Sequence, residues 1–323
     1  MSRLAPDISY SPLYWPVQRQ RNRGVRGLFC VVAAFLAVYA YLFPGLLSIG
    51  GLSKFTQSWF PLALVSMAQA ILMLTGGVSL AIGATVSLGA VIAATTMTGP
   101  LGAPGAIATV AFAGLGIGAI SGLIVVRLRL PAIIVTLAGS FIIGGIALLV
   151  LPRPGGAIPT WFSDFLAGDA PVAALLLALI ALAWKLYLAT PLGLSLYAAG
   201  ENPVAAYRSG VPVDSARIAA YAISGLLSTG AGLYVAAQTG SGDPVIGQAF
   251  TLNSIAAAVL GGVGFLGGQG TMRGAIAGSL LLSAMINVMF FLGLPPVAQY
   301  VAQGLIIIGA VALPQINVRG TRP

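Results

Sequence analysis

Groups able to act as acid, base, nucleophile or metal ligand are scarce in this chain. It holds six carboxylates (Asp7, Asp164, Asp169, Glu201, Asp214 and Asp243), no histidine, and one cysteine, Cys30. A zinc cluster, an internal disulfide and imidazole acid–base catalysis are therefore out of reach. No metal and no cofactor is expected. What the apolar stretches do carry is a set of uncharged polar side chains: Gln69, Thr75, Ser79, Thr85, Thr136, Asn253, Asn287, Gln299 and Gln303. Their donors and acceptors can exchange hydrogen bonds with a neutral, hydroxyl-rich solute without trapping it. They can equally bond helix to helix. Ser79, Thr85 and Asn253 adjoin glycine clusters, and with Gly76, Gly77, Gly261 and Gly262 they are the candidates for lining a pathway.

A second candidate is residues 192–210, LGLSLYAAGENPVAAYRSG, the longest connection that looks built for an aqueous surface. Asn202 suits an N-cap, and Pro203 after it is pre-set for a first helical turn. Arg208 then falls in the last turn, where the macrodipole favours it, and Gly210 can take the left-handed conformation that ends a helix. A two-turn helix is too short to stand alone and must lie on something. It reads either as an ordinary capped connection or as a docking helix gripped by a soluble partner.

The elements that must hold these groups follow from composition. Apolar residues make up 58% of the chain, charged residues 7%, and the mean hydropathy is +1.00. A soluble surface needs far more charge than this. Several runs approach the roughly 20 apolar residues that cross a bilayer, whereas a membrane barrel would show alternating segments of about ten. The class expected is an all-α polytopic membrane protein. The net charge of +9 does not indicate nucleic-acid binding, because the Lys and Arg residues fall mostly at the ends of apolar runs, where they set orientation.

About ten membrane segments are expected, near residues 28–47, 60–74, 80–97, 106–126, 131–150, 172–189, 221–238, 252–260, 274–292 and 297–313. A polar tail, residues 1–26, precedes the membrane part at 27–314, and residues 315–323 follow it. The basic loops then share one side, with both termini on it, the cytoplasmic side. Residues 152–171, rich in proline, and the GSGDP turn at 240–244 fall outside. In this topology all six carboxylates sit in tails or loops. Proton or sodium coupling would have to run through backbone carbonyls and hydroxyls, so an ion-coupled carrier or channel for a small neutral solute is the alternative reading.

GGVSLAIGATVSLGAV at 76–91 aligns without gaps against GGVGFLGGQGTMRGAI at 261–276. Paired glycine-interrupted segments point to two related halves around a central pathway. Close helix packing through small residues is the competing explanation, which Gly114, Gly116, Gly118 and Gly225 would also serve.

GGVSLAIG resembles the GG(I/V)DLSVG signature of the membrane permease subunits of ribose-type ATP-binding-cassette sugar importers. LPAIIVTLAGSFIIGGIALL at 130–149, TPLGLSLYAAGENPVAAYRSGV at 190–211, YAISGLLSTGAGL at 221–233 and LNSIAAAVLGGVGFLGGQGTMRGAIAG at 252–278 resemble later blocks of that family in order. The chain departs from the pattern at Ser79, where the family has Asp, at Ala81, at Leu194, where it has Arg, and at Asn253.

The resemblance implies a non-enzymatic translocation subunit moving a monosaccharide or similar small polar solute across the bacterial inner membrane. It implies two cytoplasmic ATPase subunits, a second permease copy or a paralogue, and a periplasmic substrate-binding protein. Gly200, Asn202, Ala205, Ala206, Ser209 and Gly210 then form the ATPase-coupling segment. Glu201 and Arg208 join them as charges able to pair with the ATPase surface. The chain itself has no G-x-x-x-x-G-K-S/T phosphate loop, so ATP must be hydrolysed elsewhere.

Overall fold

The computed structural model describes residues 48–295 except 101, 169 and 170, with isolated positions between 30 and 45 and between 298 and 305. Both tails, Asp7, Asp169, Gln299, Gln303 and much of the runs 28–47 and 297–313 lie outside the described residues. Among the described residues the regular structure is helical: α1 Ile49–Leu74, α2 Ile82–Thr96, α3 Gly102–Arg127, α4 Ala132–Val150, α5 Thr160–Ala167, α6 Val172–Leu188, α7 Pro191–Glu201, α8 Pro203–Arg208, α9 Val213–Thr239, α10 Gln248–Leu260 and α11 Met272–Phe291.

Five of these, α1, α3, α4, α9 and α11, are long and apolar enough to cross a bilayer, and α5 with α6, bent by 70°, would make a sixth as one broken span. α2 and α10, with 15 and 13 residues, fall short of the roughly 20 that a span needs. The ten segments expected from sequence include these two short helices and the two runs that lie largely outside the described residues.

α1 begins well before the expected Phe60, because its polar first turns are satisfied internally. Ser48 Oγ caps it by accepting from Gly51 N at 3.0 Å. Thr56 Oγ1 donates to Leu52 O at 2.7 Å and Gln57 Nε2 to Gly168 O at 2.6 Å. Inside the proline-rich loop the structure adds α5, whose Phe162 and Leu166, one turn apart, are buried.

α9 is the centre of the molecule and packs most extensively against α3, then α2 and α1. Backbones touch there. A methyl group at Gly114 or Gly118 of α3 would overlap the α9 backbone at Gly225 or Tyr221, and one at Gly225 would overlap Gly114. Gly116, on the other face of α3, meets nothing within 4 Å. Close packing thus explains Gly114, Gly118 and Gly225, and leaves Gly116 without a role. Of the most apolar window of α1, 89% is buried in the protein, against 22% for α3 and 17% for α4. The outer faces of α3 and α4 are therefore left for lipid or another chain.

The two ends of α9 differ. Beyond its last residue Gly242 exchanges both backbone hydrogen bonds with Gly155, at 2.8 and 2.9 Å, and Gly240 O accepts from Ile158 N. This ties the proline-rich loop to the GSGDP turn, the two segments expected to share one side. The first residues of α9 lie about 40 Å away at 1.5 Å per residue, beside α8.

Candidate functional site

α7 and α8 build the site on that second end. Thr190 Oγ1 caps α7, accepting from Gly193 N at 3.2 Å. Asn202 ends α7 and starts α8: its backbone is extended and its Oδ1 accepts from Ala205 N at 3.0 Å, with Pro203 at the first helical position. Gly210, at φ +80°, closes α8, with Gly210 N bonded to Tyr207 O and Val211 N to Ala206 O. The expected short helix is therefore present with its expected caps, but it continues from a second helix instead of standing in an open loop.

α8 lies on a small apolar seat in which Ala206 packs with Ala199 and Val213. Ala206, expected to face a partner, is the anchor. The outward surface is Val204 and Tyr207, 62% and 73% exposed, with Ala205 and Arg208. Sequence reading missed Val204 and Tyr207, although two large apolar groups three residues apart in a polar connection were the available signal. Ser209 Oγ donates back to Ala205 O at 3.0 Å, and Glu201 is exposed.

Behind α8, Gly200 is buried where three segments converge. A methyl group there would overlap both Leu74 O and Gly268 N, and Gly268 N itself donates to Leu74 O at 2.9 Å. Gly267 abuts Gly200, and Gly268 abuts Glu201. The end of α1, the α7–α8 junction and the α10–α11 connection thus touch at one point.

Both glycine clusters end helices in the same way. Gly76 N bonds Met73 O and Gly77 N bonds Leu72 O, while Gly262 N bonds Val259 O and Val263 N bonds Ala258 O. The left-handed residues are Gly76 at φ +79° and Gly262 at φ +76°. The gapless alignment, which pairs Gly76 with Gly261, is one residue out of step with this geometry. The connection that follows runs to Ile82 in one case and to Met272 in the other.

The pathway candidates are dispersed. Gly76 and Gly77 line a basic cleft beside α8. Ser79 and Thr85 line a cavity of about 20 Å³ with Ser121, Tyr221, Ser224 and Ser228. Tyr221, Ser224 and Ser228 share one face of α9, a spacing that sequence reading passed over. Asn253 is buried on α10. Thr136 accepts from Leu80 N at 3.1 Å and donates to Ala132 O, tying α4 to the α1–α2 connection, while Asn287 bonds Ser58 and Ser283 and joins α11 to α1. A separate groove of about 510 Å³ lies between α2, α4 and the start of α10, with Ser87, Ser140, Gln248, Thr251 and Phe141 on its walls. Of the four described carboxylates, Asp164 sits in α5, Glu201 and Asp214 at helix ends and Asp243 in a turn. No group of three or more metal-binding side chains occurs among the described residues.

Comparison with known proteins places this architecture. The family described as branched-chain amino acid transport system / permease component matches residues 51–311. The chain is similar to the autoinducer 2 import system permease protein of Klebsiella pneumoniae, 33% identical over 91% of this chain and 86% of the relative. It is 32% identical to the galactose/methyl galactoside import permease protein of Escherichia coli, over 90% of this chain and 94% of the relative. It is 29% identical to the ribose import permease protein of Haemophilus influenzae, over 88% and 90%. No solved structure matches the chain.

Proposed function

The chain belongs to the family of branched-chain amino acid transport system permease components, and on that premise we propose that it is the translocation subunit of an ATP-driven importer in the bacterial inner membrane. Its cargo is a monosaccharide or similar small polar solute. Relatives named for ribose and for galactose support this, since both sugars are neutral and hydroxyl-rich, as the uncharged groups of this chain require. Residues 27–314 form the permease domain, with about ten segments in two related halves and both termini cytoplasmic. Two cytoplasmic ATPase subunits supply the energy, a periplasmic substrate-binding protein delivers the solute, and a second permease, identical or paralogous, completes the channel.

The carrying observation is the seat of α8. Val204, Tyr207 and Arg208 face outward, and the helix continues into Gly200, which rests on Leu74 and Gly268. A displacement of α8 by an ATPase is therefore passed to the ends of α1 and α10, the two helices that stop at glycine clusters. Gly200, Glu201, Asn202, Ala205, Ala206, Arg208, Ser209 and Gly210 make up this coupling segment. On the solute side, Ser79, Thr85 and Asn253 with Gly76, Gly77, Gly261 and Gly262 remain the inner pathway, and the groove of Ser87, Ser140, Gln248 and Thr251 offers a wider mouth.

The test is affinity purification from native cells, followed by uptake of labelled ribose and galactose into vesicles. Recovery of an ATPase with ATP-dependent uptake supports the importer. Uptake that proceeds without ATP, with no ATPase recovered, replaces it with the ion-coupled carrier.

A further inference from the structure

A cavity of about 770 Å³ lies between the end of α3, the α3–α4 turn, α8 and the start of α9. Arg127, Arg129, Arg208 and Arg217 line it against a single carboxylate, Asp214. These residues come from four elements, so only the fold assembles the cluster. The Nε of Arg217 is buried without a hydrogen-bond partner, a costly state for a guanidinium unless an anion supplies acceptors. Arg129, at φ +54°, is the only non-glycine residue in the left-handed region among the described residues. Backbone held there marks a position that the surroundings over-determine, often at ligand clamps. The other walls include Val125, Leu130, Ala132 and Val204. The end of α3 and the start of α4 line the cleft, and of the five span-length helices these two are least covered by protein.

We propose that this cleft binds the phosphate of an anionic phospholipid, with Arg127, Arg129 and Arg217 on the headgroup and Val125, Val126 and Leu130 against the first acyl carbons. Guanidinium forks match phosphate oxygens in pairs, which a point-charge cation does not. Basic pockets between spanning helices on the cytoplasmic side meet the anionic lipids of that leaflet. A free phosphate would use the same arginines but leave the apolar walls bare. The bound lipid joins the end of α3 and the α3–α4 turn to the start of α9, beside α8. The site requires that α3 and α4 lie in a membrane and rests on the proposed cytoplasmic side for this end of the helices. It is independent of which solute is carried, with Gly76 and Gly77 on its inner wall and the lipid on the wall of α3 and the α3–α4 turn.

The experiment is native mass spectrometry of the full-length chain in detergent, titrated with phosphatidylglycerol or with phosphatidylcholine of the same acyl chains. Both lipids carry the phosphate, but the quaternary ammonium of phosphatidylcholine would sit as a like charge among the arginines, so wild type should retain phosphatidylglycerol at least about tenfold better. The triple variant R127Q/R129Q/R217Q should lose that preference. Asp214→Asn, which removes the one opposing carboxylate and does not depend on the triple variant folding, should raise retention. Equal retention of the two lipids by wild type, an unchanged preference in the triple variant, or weaker retention in D214N would each overturn the site. Glycerol phosphate displacing the lipid as well as phosphatidylglycerol itself does would overturn the lipid as occupant and leave a free-phosphate site.

Discussion

Gly200 of α7 packs directly on the carbonyl of Leu74, the last residue of α1, with no room for a side chain between them. That carbonyl already accepts from Gly268 N at 2.9 Å, so neither neighbour can retreat without losing a buried backbone hydrogen bond. The α7–α8 junction and the two glycine clusters meet at this contact.

Gly200→Val should therefore destabilise the protein by about 1–3 kcal/mol, the usual cost of overpacking. Gly116→Ala is the control, since that position faces open space. Thermal unfolding in detergent reads both. Equal melting temperatures for the two variants would refute the contact's importance.

Tyr207→Ala should leave the chain folded and inserted, because the ring is 73% exposed, but should weaken ATPase capture. Aromatic anchors at interfaces commonly carry 2 kcal/mol or more, so about a thirtyfold loss in affinity is expected. Ala205→Glu, which puts a charge into the same face, should uncouple ATP hydrolysis from uptake. Normal uptake by both variants would remove this face from the mechanism.

Asn202→Ala deletes the acceptor for Ala205 N and should cost α8 about 1 kcal/mol, whereas Asn202→Asp should retain the cap. Protease nicking between α7 and α9 measures the fraying directly. Equal nicking of the two variants would show that the Pro203 start and the Ala206 seat suffice.

Gln69 is fully buried in α1, and neither amide atom has a hydrogen-bond partner. Replacing a buried unpaired polar group by an apolar one of similar size removes a penalty of about 1–3 kcal/mol. Gln69→Leu should therefore unfold at or above the wild-type temperature. A clear drop in melting temperature would show that the Gln69 amide is paired in the native protein and carries no such penalty.

The amino-acid sequence by itself determined the class, the capped helix at 203–208 and the five long apolar helices among the described residues, because these are local matters. Run length, an Asn-Pro start and a glycine stop each act within a few residues of themselves. It also gave the expectation that Arg127 and the 192–210 segment share one side, through alternation of spans. Three things depended on tertiary structure. Whether a glycine ends a helix or lets two helices touch depends on what lies opposite, so Gly76 turns a chain while Gly118 admits α9. Which face of α8 is outward depends on the Ala199–Val213 seat, which buries Ala206 and presents Val204 and Tyr207. The gathering of Arg127, Arg129, Arg208 and Arg217 around one cleft joins residues from four elements, brought together by the crossing of α3 and α9 at glycines and by the seat of α8 on Val213.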